Sequence, residues 1–147
     1  MNISNNQKNV FKDFNVNVKI KLSLLWVSVT LCYLYGDYFE LYVPNKTNGL
    51  LTGDNFLNSP LKLFIAAFSL AIPAIMVLLS ILLKASINRV LNIVFGVFFT
   101  IIMVLIAFTS FTPWRAFYVF LAVIESIITS LIVYYAFKWP KQSNIIQ

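Results

Sequence analysis

Between Leu22 and Phe137 the sequence carries four long apolar stretches, separated by short segments that hold most of its polar residues. Each has a length of about 20 residues, which as α-helix at ~1.5 Å per residue covers the ~30 Å hydrocarbon core of a bilayer. Inside lipid there is no water to satisfy backbone N–H and C=O groups, so a lone segment must satisfy them internally, and a helix does this. A soluble fold would need alternating or one-sided apolar patterns instead of unbroken blocks. The expected fold is therefore all-α, a four-helix transmembrane bundle in one domain. Composition agrees: 60% of the 147 residues are hydrophobic and 11% are charged, against roughly a quarter charged in an ordinary soluble domain.

Local signals place the helix ends. The first helix is expected at about residues 21–42, where Pro44 stops it, with Lys19 and Lys21 reaching outward from its start. Its apolar stretch ends in Tyr35-Gly36-Asp37-Tyr38 without a small-residue cleavage pattern, which predicts a retained helix and not a cleaved signal. A loop follows, with turn signals at Asn48-Gly49 and Thr52-Gly53-Asp54. The second helix, about 60–83, opens with Ser59 as N-cap and Pro60 at its first position, and Pro73 inside it predicts a kink. After a turn at Lys84 to Arg89, with Ser86 as the expected cap, the third helix covers about 90–108. The fourth, about 113–137, starts at Thr112-Pro113 and ends at Lys138-Trp139-Pro140-Lys141. Residues 1–17 form a polar N-terminal tail, 18–139 the transmembrane domain and 140–147 a C-terminal tail.

Charge sets the expected orientation. Lys8, Lys12, Lys19, Lys21, Lys84, Arg89, Lys138 and Lys141 fall at one end of the spans, and Lys46, Lys62 and Arg115 at the other. The excess of basic residues marks the first end as cytoplasmic, with both termini there. The formal net charge of +6 is spent on this asymmetry, so nucleic acid is not an expected partner; the bilayer is. With no histidine and one cysteine, Cys32, the chain has neither a disulfide framework nor a familiar zinc site, and no cofactor is expected. Asn45-Lys46-Thr47 is a formal glycosylation sequon of little specificity.

One ionisable residue lies deep in a span. Glu125 sits near the middle of the fourth helix, where a charge costs a few kcal/mol even on lenient insertion scales. Three readings stay open: a proton or cation site, an anchor for a small lipophilic ligand, or a hydrogen bond that only holds the bundle together. Desolvation favours the neutral carboxyl there, which is expected to face the bundle interior. Steps of three and four place Arg115, Tyr118, Ala122, Glu125 and Thr129 on one face of the fourth helix. The same spacing aligns Trp26, Thr30, Tyr33, Asp37 and Glu40 on the first helix. The candidate ligand or proton site is thus Glu125 with Tyr118, Thr129, Thr30 and Tyr33. Counting the helical rise from the exoplasmic end brings Arg115 level with Asp37 or Glu40 and predicts an ion pair there. Asp37 and Glu40 lack a third ligand for a metal. Asn92, Gly96, Thr100 and Ala107 read as a packing stripe.

Several segments carry a family resemblance: the run Leu31 to Pro44 (LCYLYGDYFELYVP), Ser59-Pro60, Ala71-Ile72-Pro73-Ala74, Ile87-Asn88-Arg89, Trp114-Arg115-Ala116-Phe117-Tyr118 and Glu125-Ser126. From about Val16 to Pro140 the chain resembles an uncharacterised family of small four-helix bacterial membrane proteins. Asn45 departs from the glycine expected after the proline. The resemblance implies a multi-pass protein of the bacterial inner membrane and supplies no activity. No catalytic motif is present, so an enzyme is not expected. Ligand or proton handling at Glu125 stands against a structural, assembly or immunity-type subunit, and the oligomeric state is not legible.

Overall fold

The computed structural model describes residues 14–140. The expected tails at 1–13 and 141–147, with Lys8, Lys12 and Lys141, lie outside the described residues. Four helices are long and apolar enough to cross a membrane: α1 (Val18–Glu40), α3 (Pro60–Leu82), α4 (Ala85–Thr109) and α5 (Ala116–Phe137), the last preceded by a 3-10 turn at Pro113–Arg115. The fifth helix, α2 (Lys46–Thr52), is a short one in the loop after α1.

The boundaries follow from caps. Asn17 accepts the Lys19 amide at 2.9 Å on its side-chain oxygen and starts α1 three residues before position 21. Ser59 accepts the Lys62 amide at 3.3 Å with Pro60 behind it, so α3 starts where the proline signal puts it. α4 begins at Ala85 instead of 90. Lys84, not Ser86, holds its N-cap position, and the polar run Ser86 to Arg89 is the first turn of the helix, because Asn88 is buried inside the protein instead of facing water. α3 runs through Pro73, which is buried. The helix α2 lies where the sequence reads as a plain loop. Its N-cap, Asn45, has φ 66°, a left-handed conformation that glycine adopts freely and asparagine tolerates. That is the physical content of the glycine expected at this position.

α1 is the centre of the arrangement: it packs along α3 on one side and α5 on the other, and α5 packs in turn along α4. α3 and α4 follow each other in sequence yet touch far less. The core consists of Leu22, Trp26 and Val29 of α1, Met76 of α3, Phe99 of α4, and Ile132 and Ala136 of α5. Trp26 and Phe99 meet edge to face with ring centroids 6.0 Å apart. The outward faces, such as Phe64, Phe68 and Leu78 on α3, are apolar and exposed, as surfaces against lipid must be.

A buried polar cluster ties three helices together. Asn92 Oδ1 accepts from Trp26 Nε1 at 2.8 Å and from Ser80 Oγ at 3.4 Å. Its amide donates to the side chain and backbone oxygens of Asn88, whose own amide donates to the Ser80 carbonyl. Asn92 therefore joins α1, α3 and α4, and does more than form part of a packing stripe. Two cations stitch the same end: Lys19 donates to the Leu83 and Ile81 carbonyls at 2.6 and 3.2 Å, and Arg89 to the Ala136 and Phe137 carbonyls at 3.2 and 3.4 Å. Each meets the negative end of a helix dipole and uses carbonyls left over by the last turn.

This basic end, which holds the start of α1 and the end of α5, is the expected cytoplasmic side. Reporter fusions after Gln147 and within the turn at Leu83 and Lys84 should both report the cytoplasm, and one in the loop at Asn45 to Asn55 the opposite face. A cytoplasmic signal from that loop would reverse the assignment.

Candidate functional site

The carboxyl of Glu125 sits about 14 Å into α5 from Ala116, taking ~1.5 Å per residue. Glu125 is only 3% exposed. It lines a small enclosed cavity between α1, α4 and α5, with Tyr33 and Cys32 from α1, Met103 from α4, and Tyr118 and Ala122 from α5. Two polar atoms are stranded there. Neither Glu125 Oε2 nor Tyr33 Oη, both buried, has a partner within hydrogen-bonding distance among the described residues. The volume open to the centre of a water molecule is about 10 Å³, room for about one water.

The site residues expected from helical spacing separate into two groups. Tyr33, Tyr118 and Glu125 come together around the cavity. Thr30 and Thr129 do not line it: Thr30 donates to the Trp26 carbonyl at 2.9 Å within its own helix. Thr129, fully buried, donates to the Glu125 carbonyl at 2.8 Å and accepts from Thr100 at 2.7 Å. It closes the contact between α4 and α5 below the cavity, beside Gly96. A β-carbon added at Gly96 would stand 2.7 Å from Val133 Cγ2 and 3.4 Å from the Thr129 carbonyl, so the two helices touch backbone to backbone there. Cys32, Gly36, Met103, Ile106 and Leu121, which helical spacing did not single out, also line it; for Cys32 the signal was its place one residue before Tyr33.

Toward the loop end lies a second, open cavity of about 600 Å³, lined by Asp37, Glu40, Lys46, Asn55, Arg115 and Tyr118 among others. Here Glu40 Oε1 takes both Arg115 Nη2 at 2.9 Å and Lys46 Nζ at 2.8 Å. Asp37 makes no ion pair among the described residues. Lys46 arrives on α2, so the short helix that the sequence reads as loop brings the second cation. Tyr118 lines both cavities. Its ring rests against Gly36, where an added β-carbon would lie 3.5 Å from Tyr118 Cε2. No cluster of three or more potential metal-ligating side chains occurs among the described residues.

A groove large enough for a lipophilic molecule exists elsewhere. It measures about 770 Å³, opens on the outer side of α4 and α5, and is lined by Val104, Phe108, Val123, Ile127 and Leu131 with Ser126 and Ser130. Glu125 does not line it.

Four helices long and apolar enough to span a bilayer, with a carboxyl buried where three of them meet, define a polytopic α-helical membrane protein. The chain belongs to a family of unknown function (DUF6326), which matches residues 9–146. Neither the curated proteins nor the solved structures contain a match.

Proposed function

We propose that this membrane protein, in a bacterial cell membrane, takes up and releases a proton at Glu125 and exchanges it with the loop end past Tyr118, without acting as an enzyme. One observation carries the reading: the two stranded polar atoms, Glu125 Oε2 and Tyr33 Oη, border the same one-water cavity. Burying a polar group without a partner costs roughly 1–3 kcal/mol, so a carboxyl serving only as glue between helices would be expected to find one. The size of the cavity supports a proton carried by water over a lipophilic ligand, since the groove of ligand size lies outside the bundle interior.

In this reading a proton arrives on water through the open cavity, joins the Glu125 carboxylate and leaves a neutral acid. That acid donates to the cavity water, which can in turn bond the Tyr33 hydroxyl; release reverses the steps. The titratable groups around the site are Cys32, Tyr33 and Asp37 on α1 and Tyr118 on α5, while α4 presents Met103 and Ile106 and nothing titratable. Arg115 is ten residues from Glu125, about 15 Å along the helix, and is held by Glu40. It does not neutralise the anion directly.

Infrared spectra of the protein in proteoliposomes, stepped in external pH, test this. A carboxylic C=O band should rise and fall with the step in the wild type and be missing in Glu125→Gln. Identical spectra for the two proteins across the range would refute the proposal.

A further inference from the structure

The basic end carries a crevice of about 580 Å³ between the start of α1, the start of α4 and the end of α5. Lys19, Lys21 and Lys138 line it together with Tyr135 and Trp139, and among the described residues no carboxylate does. Among the described residues all three ammonium groups keep donors in reserve. Lys19 spends two N–H groups on the Leu83 and Ile81 carbonyls, and Lys138 one on the Tyr134 hydroxyl. Lys21 lies 5.4 Å from the centroid of the Tyr135 ring. An ammonium has three donors, so these contacts hold the lysines in place and leave N–H groups for an incoming acceptor. A second observation points the same way. Ala85, the first residue of α4, lines the crevice, and no side chain caps that helix. Its first-turn amides are unsatisfied donors at the positive end of a dipole, an arrangement suited to an anion.

We propose that this crevice binds a phosphate group, the headgroup phosphate of an anionic lipid where the chain meets the membrane surface. Lysine ammonium groups act on phosphate as point charges, the uncapped amides of α4 add directed hydrogen bonds, and Trp139 and Tyr135 suit the headgroup level. The inference is independent of the chemistry at Glu125.

Purified full-length protein in neutral detergent, titrated with phosphatidylglycerol, phosphatidylcholine or inorganic phosphate and read by native mass spectrometry, tests the site. The wild type should retain phosphatidylglycerol in preference to phosphatidylcholine. Lys21→Gln with Lys138→Gln should weaken that binding roughly 25-fold, about fivefold per charge removed at a membrane surface. Lys84→Gln takes the same charge from the same end, but Lys84 does not line the crevice, and its effect should stay within about twofold. If the double variant fails to fold, Lys21→Gln alone should weaken binding about fivefold while Lys21→Arg keeps it, and unchanged binding in folded Lys21→Gln would overturn the proposal. Displacement of the lipid by millimolar inorganic phosphate would keep the site and assign it to free phosphate as well. Unchanged binding in the folded double variant, or equal loss in Lys84→Gln, would overturn the proposal, the latter by revealing a diffuse basic surface.

Discussion

Glu125→Leu should make the protein more stable while removing its proton response. The carboxyl sits 3% exposed with Oε2 unpartnered, beside the equally unpartnered Tyr33 Oη. Leucine takes away one stranded polar group, worth roughly 1–3 kcal/mol, and adds apolar volume next to Met103 and Ala122. Glu125→Gln keeps a donor and an acceptor in the same cavity, and its stability should stay within about 1 kcal/mol of the wild type. Equilibrium unfolding in mixed micelles gives both numbers. The sign separates the two classes of role: a residue kept as interhelical glue loses stability on replacement, whereas one kept for chemistry commonly gains it. A Glu125→Leu protein less stable than the wild type would mean that the carboxyl holds the bundle together.

Gly96→Val should produce the largest loss of stability in the chain. The added β-carbon alone would stand 2.7 Å from Val133 Cγ2 and 3.4 Å from both Ile132 Cγ2 and the Thr129 carbonyl. The α4–α5 contact is the most extensive in the bundle, and it must open to admit the two methyl groups. Opening it also strains the Thr100 to Thr129 hydrogen bond of 2.7 Å. Overpacking costs typically 1–3 kcal/mol, and the lost hydroxyl contact adds about 0.6 kcal/mol within a membrane. The expected loss is about 3 kcal/mol, read in the same unfolding assay. Gly96→Ala should fall between, since Val133 can shift by a side-chain rotation. A Gly96→Val protein as stable as the wild type would mean that α4 and α5 are not in backbone contact.

Class and span number were legible because they depend on one-dimensional facts: the length of the apolar stretches, and the Ser59-Pro60 and Thr112-Pro113 signals before α3 and the 3-10 turn that leads into α5. What was not legible depends on which helices are neighbours. The stripe on α1 puts Trp26 and Tyr33 on one face, but Trp26 turns to Asn92 of α4 and Tyr33 to the Glu125 cavity. The same holds for Asn88 and Asn92, four residues apart. Read along the chain they suggest a polar turn and a packing stripe; their bonds to Ser80 and Trp26 exist only once α1 lies between α3 and α5. Thr30 and Thr129 share a face with the site residues, yet their hydroxyls satisfy carbonyls one turn back in their own helices. Periodicity sees the face and not this local competition. α2 was missed because its seven residues, KTNGLLT, contain turn formers and no apolar period.

The two stitches at the basic end divide the bundle mechanically. Lys19 fastens α1 to the end of α3, Arg89 fastens α4 to the end of α5, and the Asn92 cluster pins the two pairs to each other near that same end. At the loop end the pairs are joined across α1 and α5 by the Glu40 to Arg115 ion pair, which water can replace. The bundle is thus bonded side chain to backbone at its basic end and side chain to side chain at its loop end, so loss of Glu40 or Arg115 should loosen the α1–α5 seam beside Tyr118 before it disturbs the basic end.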